Sequence, residues 1–273
     1  MLQQIAVCSW SLRPADPQDL VEQLQSVGIQ RLQLALDPLR EFPDRWANAA
    51  KRLQQHGLQI VSGMFGCVRE DYTTLESIRA TGGIAPDATW EQNWDRIQKH
   101  AVLAHSLGLK LVTFHAGFLP PTDSDPKYRV LQQRLQQAAD LFNKHAIELA
   151  LETGQETANT LLHLLQQLKG PRVGVNFDPA NMILYGKDEP AEALKLLGPW
   201  IRQVHVKDAR RSEVPGVWGR EVPVGTGEVG WSTLLPQLQA AGFRGNYCIE
   251  CEAGQRRTAN VRAARGFLEE NAA

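Results

Sequence analysis

Cysteine is scarce, with four in 273 residues. That is too few for the disulfide framework that staples small secreted folds. No basic segment precedes the first apolar run, Ile5-Ala6-Val7-Cys8, so the N-terminus does not read as a secretory signal. A reducing, cytoplasmic compartment is the expectation. No apolar run approaches the roughly 20 residues that cross a bilayer, so no membrane partner is expected. Neither charge predominates: Lys plus Arg total 29 against 30 Asp plus Glu, a net charge of -1. Such a chain lacks the basic footprint that nucleic-acid binding usually needs. Low-complexity segments, linkers and repeats shorter than a βα unit are missing too, so residues 1–273 are expected to form one domain.

What is present is a regular alternation. Short apolar runs rich in Val, Ile and Leu fall at 5–9, 31–36, 59–65, 109–115, 147–152, 172–178, 201–206 and 246–250. Several are almost continuously apolar, as suits parallel strands buried on both faces. Amphipathic runs separate them: 19–27, 45–56, 90–107, 128–145, 157–168, 191–197, 232–241 and 257–271. Gly28, Gly57, Gly108 and Gly242 each stand where a helix must stop before the next strand. Eight strand-then-helix units predict a parallel sheet with right-handed crossovers, and at this length a closed (β/α)₈ TIM barrel of the α/β class. The competing architecture, a doubly wound open sheet, usually carries a glycine-rich first turn. Here that turn reads Ser9-Trp10-Ser11-Leu12.

Two βα connections are long, about 66–89 and 208–231. In barrels such loops surround the active site at the C-terminal ends of the strands. Those ends carry His115, Glu152, Asp178, His205 and Glu250. A strand-end Glu taken singly can equally cap a helix or pair with an Arg. Four such groups on consecutive strands favour a shared cation, because crowded buried carboxylates repel. Three carboxylates and one imidazole suit Mn²⁺, Mg²⁺ or Co²⁺ better than a thiolate-type zinc site, with Zn²⁺ a further candidate. Cys248-x-x-Cys251 lies on a strand, where residues three apart point to opposite faces, so both read as packing residues.

At these residues the chain resembles the sugar phosphate isomerase/epimerase superfamily of xylose isomerase-like TIM barrels. That group includes ketose 3-epimerases, hydroxypyruvate isomerase, inosose dehydratase and endonuclease IV. The resemblance rests on AlaLeuGluThrGly at 150–154, AsnPheAspProAlaAsn at 176–181, ValHisValLysAsp at 204–208 and CysIleGluCysGlu at 248–252. It implies one divalent metal ion held by Glu152, Asp178, His205 and Glu250, with Glu152 and Glu250 also acting as a catalytic acid/base pair. The implied activity is isomerisation or epimerisation of a small sugar, keto-sugar or sugar phosphate through an enediolate. A lyase of the inosose dehydratase kind is the alternative on the same site, and a non-catalytic sugar-binding barrel is the other class. The group often has a His where this chain has Asn181, and the ligands of the endonuclease zinc cluster are missing around Gly219-Arg220-Glu221. Both departures point away from DNA repair and toward a small-molecule carbohydrate. Homodimers are common in the group.

Candidate substrate contacts are His115, Glu156, Asn181, Lys207, Arg220, Trp10 and Trp218, with Phe65 and Phe118 as further aromatic candidates. Asp208 is a candidate for orienting a ligand, Arg211 reads as an exposed loop charge, and Gly225-Thr226-Gly227-Glu228 offers a weak phosphate-cradle signal.

Overall fold

The computed structural model describes residues 2–170 and 173–271. Arg172, expected to open the sixth strand, lies outside the described residues, as do Met1, Pro171, Ala272 and Ala273 of the expected domain. Eight parallel strands close into a barrel. They are β1 (Ile5–Cys8), β2 (Arg31–Ala35), β3 (Gln59–Met64), β4 (Leu111–Phe114), β5 (Glu148–Glu152), β6 (Val173–Phe177), β7 (Ile201–Val206) and β10 (Asn246–Ile249). The ring closes through β1 against β10, with Ile5 opposite Tyr247 and Val7 opposite Ile249. Two short strands, β8 (Asp208–Arg210) and β9 (Arg220–Val222), form a separate antiparallel ribbon.

Helix starts follow local chemistry. The first long helix, Pro17–Val27, begins two residues before the apolar period does. Asp16 accepts hydrogen bonds from the Gln18 and Asp19 amides, and Pro17 needs no donor at that position. It ends at Gly28, whose φ of 67° is left-handed. The expected 66–89 loop contains a helix, Leu75–Thr81, opened by a reciprocal cap between Thr74 and Ser77. The next helix, Asp87–Ser106, starts three residues earlier than its apolar pattern. The expected 208–231 loop contains the β8–β9 ribbon. The helix expected over 45–56 is shorter, Ala49–Gln55. Brief helices at Ser9–Leu12, Asp37–Glu41 and Pro179–Leu184 add to the expected set.

Apolar packing fills the space between strands and helices, with Leu20, Leu24, Leu53, Ile97, Leu135, Phe142, Leu164, Leu235 and Leu268 buried there. Phe65 belongs to this core: its ring stacks on Phe114 at 4.9 Å and on His100 at 5.0 Å. The inside of the barrel is different. Gln33, Ser62, Thr113, Asn176 and Gln203 are fully buried polar side chains. They satisfy one another: Gln33 Nε2 donates to Thr113 Oγ1 (2.8 Å), Ser62 Oγ to Gln203 Oε1 (2.6 Å), and Gln203 Nε2 to Asn176 Oδ1 (3.2 Å). A connected polar layer avoids the cost of stranded donors and acceptors. It also forms a rigid floor beneath the barrel mouth.

Candidate metal centre

Parallel strands deliver their last side chains to one end of the barrel. Glu152 is the last residue of β5, and Asp178 follows the last residue of β6. His205 is the last but one of β7, and Glu250 follows β10, its amide still bonded to Val206 O at 3.0 Å. The four are 3%, 0%, 0% and 4% exposed. One ligand atom from each lies within 4.8 Å of all the others. His205 Nδ1 stands 3.2 Å from Glu152 Oε1, 3.5 Å from Glu250 Oε2 and 3.8 Å from Asp178 Oδ2.

Neighbours hold each group in place. Glu152 accepts from Asn176 Nδ2 (3.2 Å) and Asn181 Nδ2 (3.0 Å). Asp178 Oδ1 caps the helix Pro179–Leu184 by accepting from the Asn181 amide at 2.9 Å. Glu250 Oε1 accepts from Trp10 Nε1 at 2.8 Å, and its Oε2 from Lys207 Nζ at 2.5 Å. Lys207, 2% exposed, also lies 3.2 Å from Asp178 Oδ2 and 3.2 Å from Glu252 Oε2. On the floor side, His205 Nε2 lies 2.7 Å from Gln33 Oε1, 3.0 Å from Asn176 Nδ2 and 3.7 Å from Cys8 Sγ.

The charges are coupled. Burial opposes ionisation of Glu250, but Lys207 and His205 override it and hold the carboxyl well below the usual carboxylate range. Burial likewise opposes ionisation of Glu152, and His115 and His205 outweigh it. Asp178 goes the other way: burial pushes it up to about 7, beyond what Lys207 offsets. Burial disfavours a charged His205, yet Glu152 and other neighbours hold its pKa well above the ordinary value. Burial pushes the Cys8 thiol up to about 12, so it stays protonated and the oxygens dominate the donor set.

The residues present fit a divalent cation. Three carboxylates face one buried ammonium and the His205 imidazolium, so negative charge is in excess only once a cation replaces the His205 proton and keeps Asp178 ionised. Asp178 Oδ2 is buried and has no hydrogen-bond donor, since Lys207 is close but off the bonding line. An orphaned carboxylate oxygen beside two glutamates and an imidazole is a ligand set for a hard or borderline cation.

The other sequence candidates divide into two groups. His115, Asn181, Lys207 and Trp10 stand at the cluster, with His115 Nε2 3.5 Å from Glu152 Oε1. Glu156, Arg220 and Trp218 make none of the cluster's bonds. Glu156 is buried beside a separate cavity, and burial pushes its carboxyl up to about 8. Arg220 is exposed on β9. Trp218 packs edge-on against Tyr185, ring centroids 4.7 Å apart.

Asp208 is a turn clamp rather than a ligand positioner. Its Oδ1 accepts from the Ala209 and Val229 amides, and its Oδ2 from those of Gly225 and Gly227. The glycine turn therefore spends two of its amides on Asp208 and offers no phosphate cradle through them. Arg211 pairs with Glu189 at 2.5 Å. Cys248 is fully buried beside Ala6 and Cys8, and Cys251 is buried too; all four cysteines are free.

Sequence reasoning missed Gln33, Asn176 and Cys8. Asn176 had a signal, since it stands two residues before Asp178 on the same strand face. Gln33 had one as well, a polar residue inside the apolar run Leu32–Leu34. Cys8 carried no distinguishing mark.

Residues 21–271 match the family model described as Xylose isomerase-like TIM barrel. The solved structure of a xylose isomerase domain protein from Planctomyces limnophilus superposes with a TM-score of 0.87 at 28% identity, covering 98% of this chain and 96% of that one. D-psicose 3-epimerase superposes at 0.72 with 15% identity and 98% of each chain covered, which shows a common fold alone. Among curated sequences, inosose dehydratase from Mesomycoplasma hyopneumoniae is 25% identical over 210 residues, 71% of this chain and 63% of its own length. The uncharacterized protein YihM of Escherichia coli is 34% identical over 86 residues, 31% of this chain and 26% of that protein. The matches thus span less than two thirds of these curated relatives. Among the described residues no helix is long and apolar enough to cross a membrane.

Proposed function

We propose that this chain, which belongs to the xylose isomerase-like TIM-barrel family, is a divalent-metal-dependent isomerase or epimerase of a small sugar, keto-sugar or sugar phosphate. The observation that carries this reading is the convergence of Glu152, Asp178, His205 and Glu250 within 4.8 Å at the barrel mouth. A divalent cation on these four residues would act as a Lewis acid on a substrate carbonyl and its neighbouring hydroxyl, easing loss of the adjacent C–H proton.

The chain's own residues supply the proton transfers. Glu152 ends β5 and Glu250 follows β10, and these strands are not neighbours in the barrel. A substrate bound at the cation would meet one of these carboxylates on each face. One removes the proton and the other returns one, to the same carbon for epimerisation or to the next for isomerisation. Each step of this kind is worth about 10²–10⁴-fold. Asn176 and Asn181 fix Glu152, and Trp10 fixes Glu250. Lys207, 2.5 Å from Glu250 Oε2, holds a proton on that side.

A second reading has its own support. A buried ammonium beside Glu250 would stabilise the charge of a departing hydroxyl, and a curated relative is named inosose dehydratase. Incubation of metal-loaded protein with keto-sugars and inososes in D₂O, with and without chelator, separates the two. Deuterium gained next to the carbonyl without loss of water is the expected result. An enone or diketone product selects the dehydratase. No exchange and no product with Mn²⁺, Mg²⁺ or Co²⁺ present would refute both. The proposed partner is a small carbohydrate, and the proposed assembly a monomer or homodimer.

A further inference from the structure

Beside the metal centre lies a cavity of about 670 Å³. Four rim segments enclose it, contributing Arg79 and Ala85, Phe118 to Leu131, Gln155 to Thr160, and Lys187. Its wall is mostly apolar carbon, from Phe118, Leu119, Pro121 and Leu131. Such a wall is a poor match for a fully hydroxylated chain and a good one for apolar faces of a ligand.

Three cations line it without ion-pair partners among the described residues: Lys127, which is exposed, and Arg79 and Lys187, which both stand against the Phe118 ring. Arg79 Cζ stands 5.3 Å from the Phe118 ring centroid and Lys187 Nζ stands 5.8 Å from the same centroid. Neither joins any ion pair within 4.0 Å among the described residues, whereas other acids at this cavity are engaged. Asp87 is paired with Arg134, and Asp125 caps its helix through the Lys127 amide. Asp188, next to Lys187, accepts from the Ala158 amide. Glu156 is the remaining acid, and burial pushes its carboxyl up to about 8, so near neutral pH it is largely protonated. Burial and the neighbouring Arg79 both disfavour the charge on Lys187. Two unpaired cations at one ring leave positive charge that an anionic group would offset. Gln155 Oε1, buried at the same cavity without a hydrogen-bond donor, is an acceptor and would meet a hydroxyl of the ligand rather than its anionic group.

Two of the lining residues lie close in the chain to residues of the metal centre. Gln155 follows Glu152 by three residues and Phe118 follows His115 by three, and three residues extend at most about 10 Å. We propose that this cavity is an organic-anion pocket. Arg79 and Lys187 hold a terminal carboxylate or phosphate ester, and the Phe118–Leu131 wall holds the apolar face of the carbon skeleton. Its occupant is the distal end of the substrate whose reacting carbons sit at Glu152 and Glu250. This last step rests on the proposed function; the pocket itself does not.

The test titrates the full chain, with and without Mn²⁺, with benzoate and phenyl phosphate and with uncharged benzyl alcohol. At least one anion is expected to bind tenfold or more tightly than the alcohol, and the better of the two identifies the anionic group. The Arg79→Gln/Lys187→Gln double variant is expected to lose that preference while binding Mn²⁺ as the parent does. Equal binding of all three probes overturns the proposal. So does an anion preference that survives in the double variant, including one seen only with Mn²⁺, which would place the anion on the metal. In the D₂O exchange assay, anionic ketoses are expected to show a lower KM than neutral ones, a difference lost in the double variant. Equal KM values would remove the substrate's end from the pocket. Exchange with no ketose at all would count against the proposed reaction, and the probe titration would still decide the pocket.

Discussion

Asp178 and Asp208 are both buried aspartates at the C-terminal side of the barrel, 0% and 1% exposed, yet their surroundings differ in kind. Asp208 accepts four backbone amides, two on each oxygen, and ties the β8–β9 ribbon to the turn that follows. The turn is shaped for it: a Cβ on Gly227 would stand 2.2 Å from Asp208 Oδ1. Asp178 uses one oxygen to cap a helix and leaves the other without a hydrogen-bond donor, facing two glutamates and an imidazole, with the Lys207 ammonium 3.2 Å away but shared with Glu250 and Glu252. A saturated buried carboxylate holds structure together. An unsaturated one among like charges is costly unless something else binds there.

Substitution should separate the two roles most sharply. Asp208→Ala strands four amides, two of them on the buried residues Ala209 and Val229, and is expected to cost about 3–5 kcal/mol of stability, read as the midpoint of urea unfolding. Asp178→Ala loses a helix cap worth about 1 kcal/mol but also relieves charge crowding. Its metal-free stability should change by no more than about 1 kcal/mol, while Mn²⁺ affinity falls at least 100-fold. If Asp178→Ala unfolds the chain as badly as Asp208→Ala, the contrast fails.

Glu156 extends the comparison to a buried acid outside the metal cluster. Its folded pKa of about 8 lies above the ordinary 4.5, so the folded state binds this proton more tightly than the unfolded state does. The contribution of Glu156 to stability is therefore lost as pH rises from about 4.5 to 8. Glu156→Gln should match the parent near pH 4 and exceed it by about 2–4 kcal/mol at pH 9. Parallel stability curves across that range would show that Glu156 is ionised and partnered at neutral pH. Trp10→Phe is the mildest change: it keeps a ring and removes one bond to Glu250. It should slow exchange by about tenfold or less at unchanged metal stoichiometry.

The barrel and its four converging side chains could be read from the sequence because both follow from alternation. Near-continuous apolar strands need helices on the outside, and the residue where each run turns polar lies at the mouth. Elements without a period escaped. The three-residue strands β8 and β9 are too short for a two-residue repeat to show, and Leu75–Thr81 has an N-terminal cap but only a short apolar face. Side-chain partnerships between distant segments were equally hidden. Nothing in Asp208 and Gly227, 19 positions apart, announces that a carboxylate meets a backbone amide. Glu156 follows Glu152 by four residues, but the turn after β5 carries it into a different cavity. Lys207 reads from the sequence as a cation after His205 that could neutralise excess carboxylate or bind an anionic group, but which three carboxylates surround it depends on β6 and β10.

The most direct measurement is a Mn²⁺ titration of the metal-stripped chain, counting free ion by its magnetic resonance signal, beside Glu152→Ala and Asp178→Ala. Binding of about one Mn²⁺ per chain, weakened at least 100-fold in both variants, is the predicted result. A parent chain that binds no Mn²⁺, Mg²⁺, Co²⁺ or Zn²⁺ at millimolar concentration, or variants that bind as the parent does, would contradict the account.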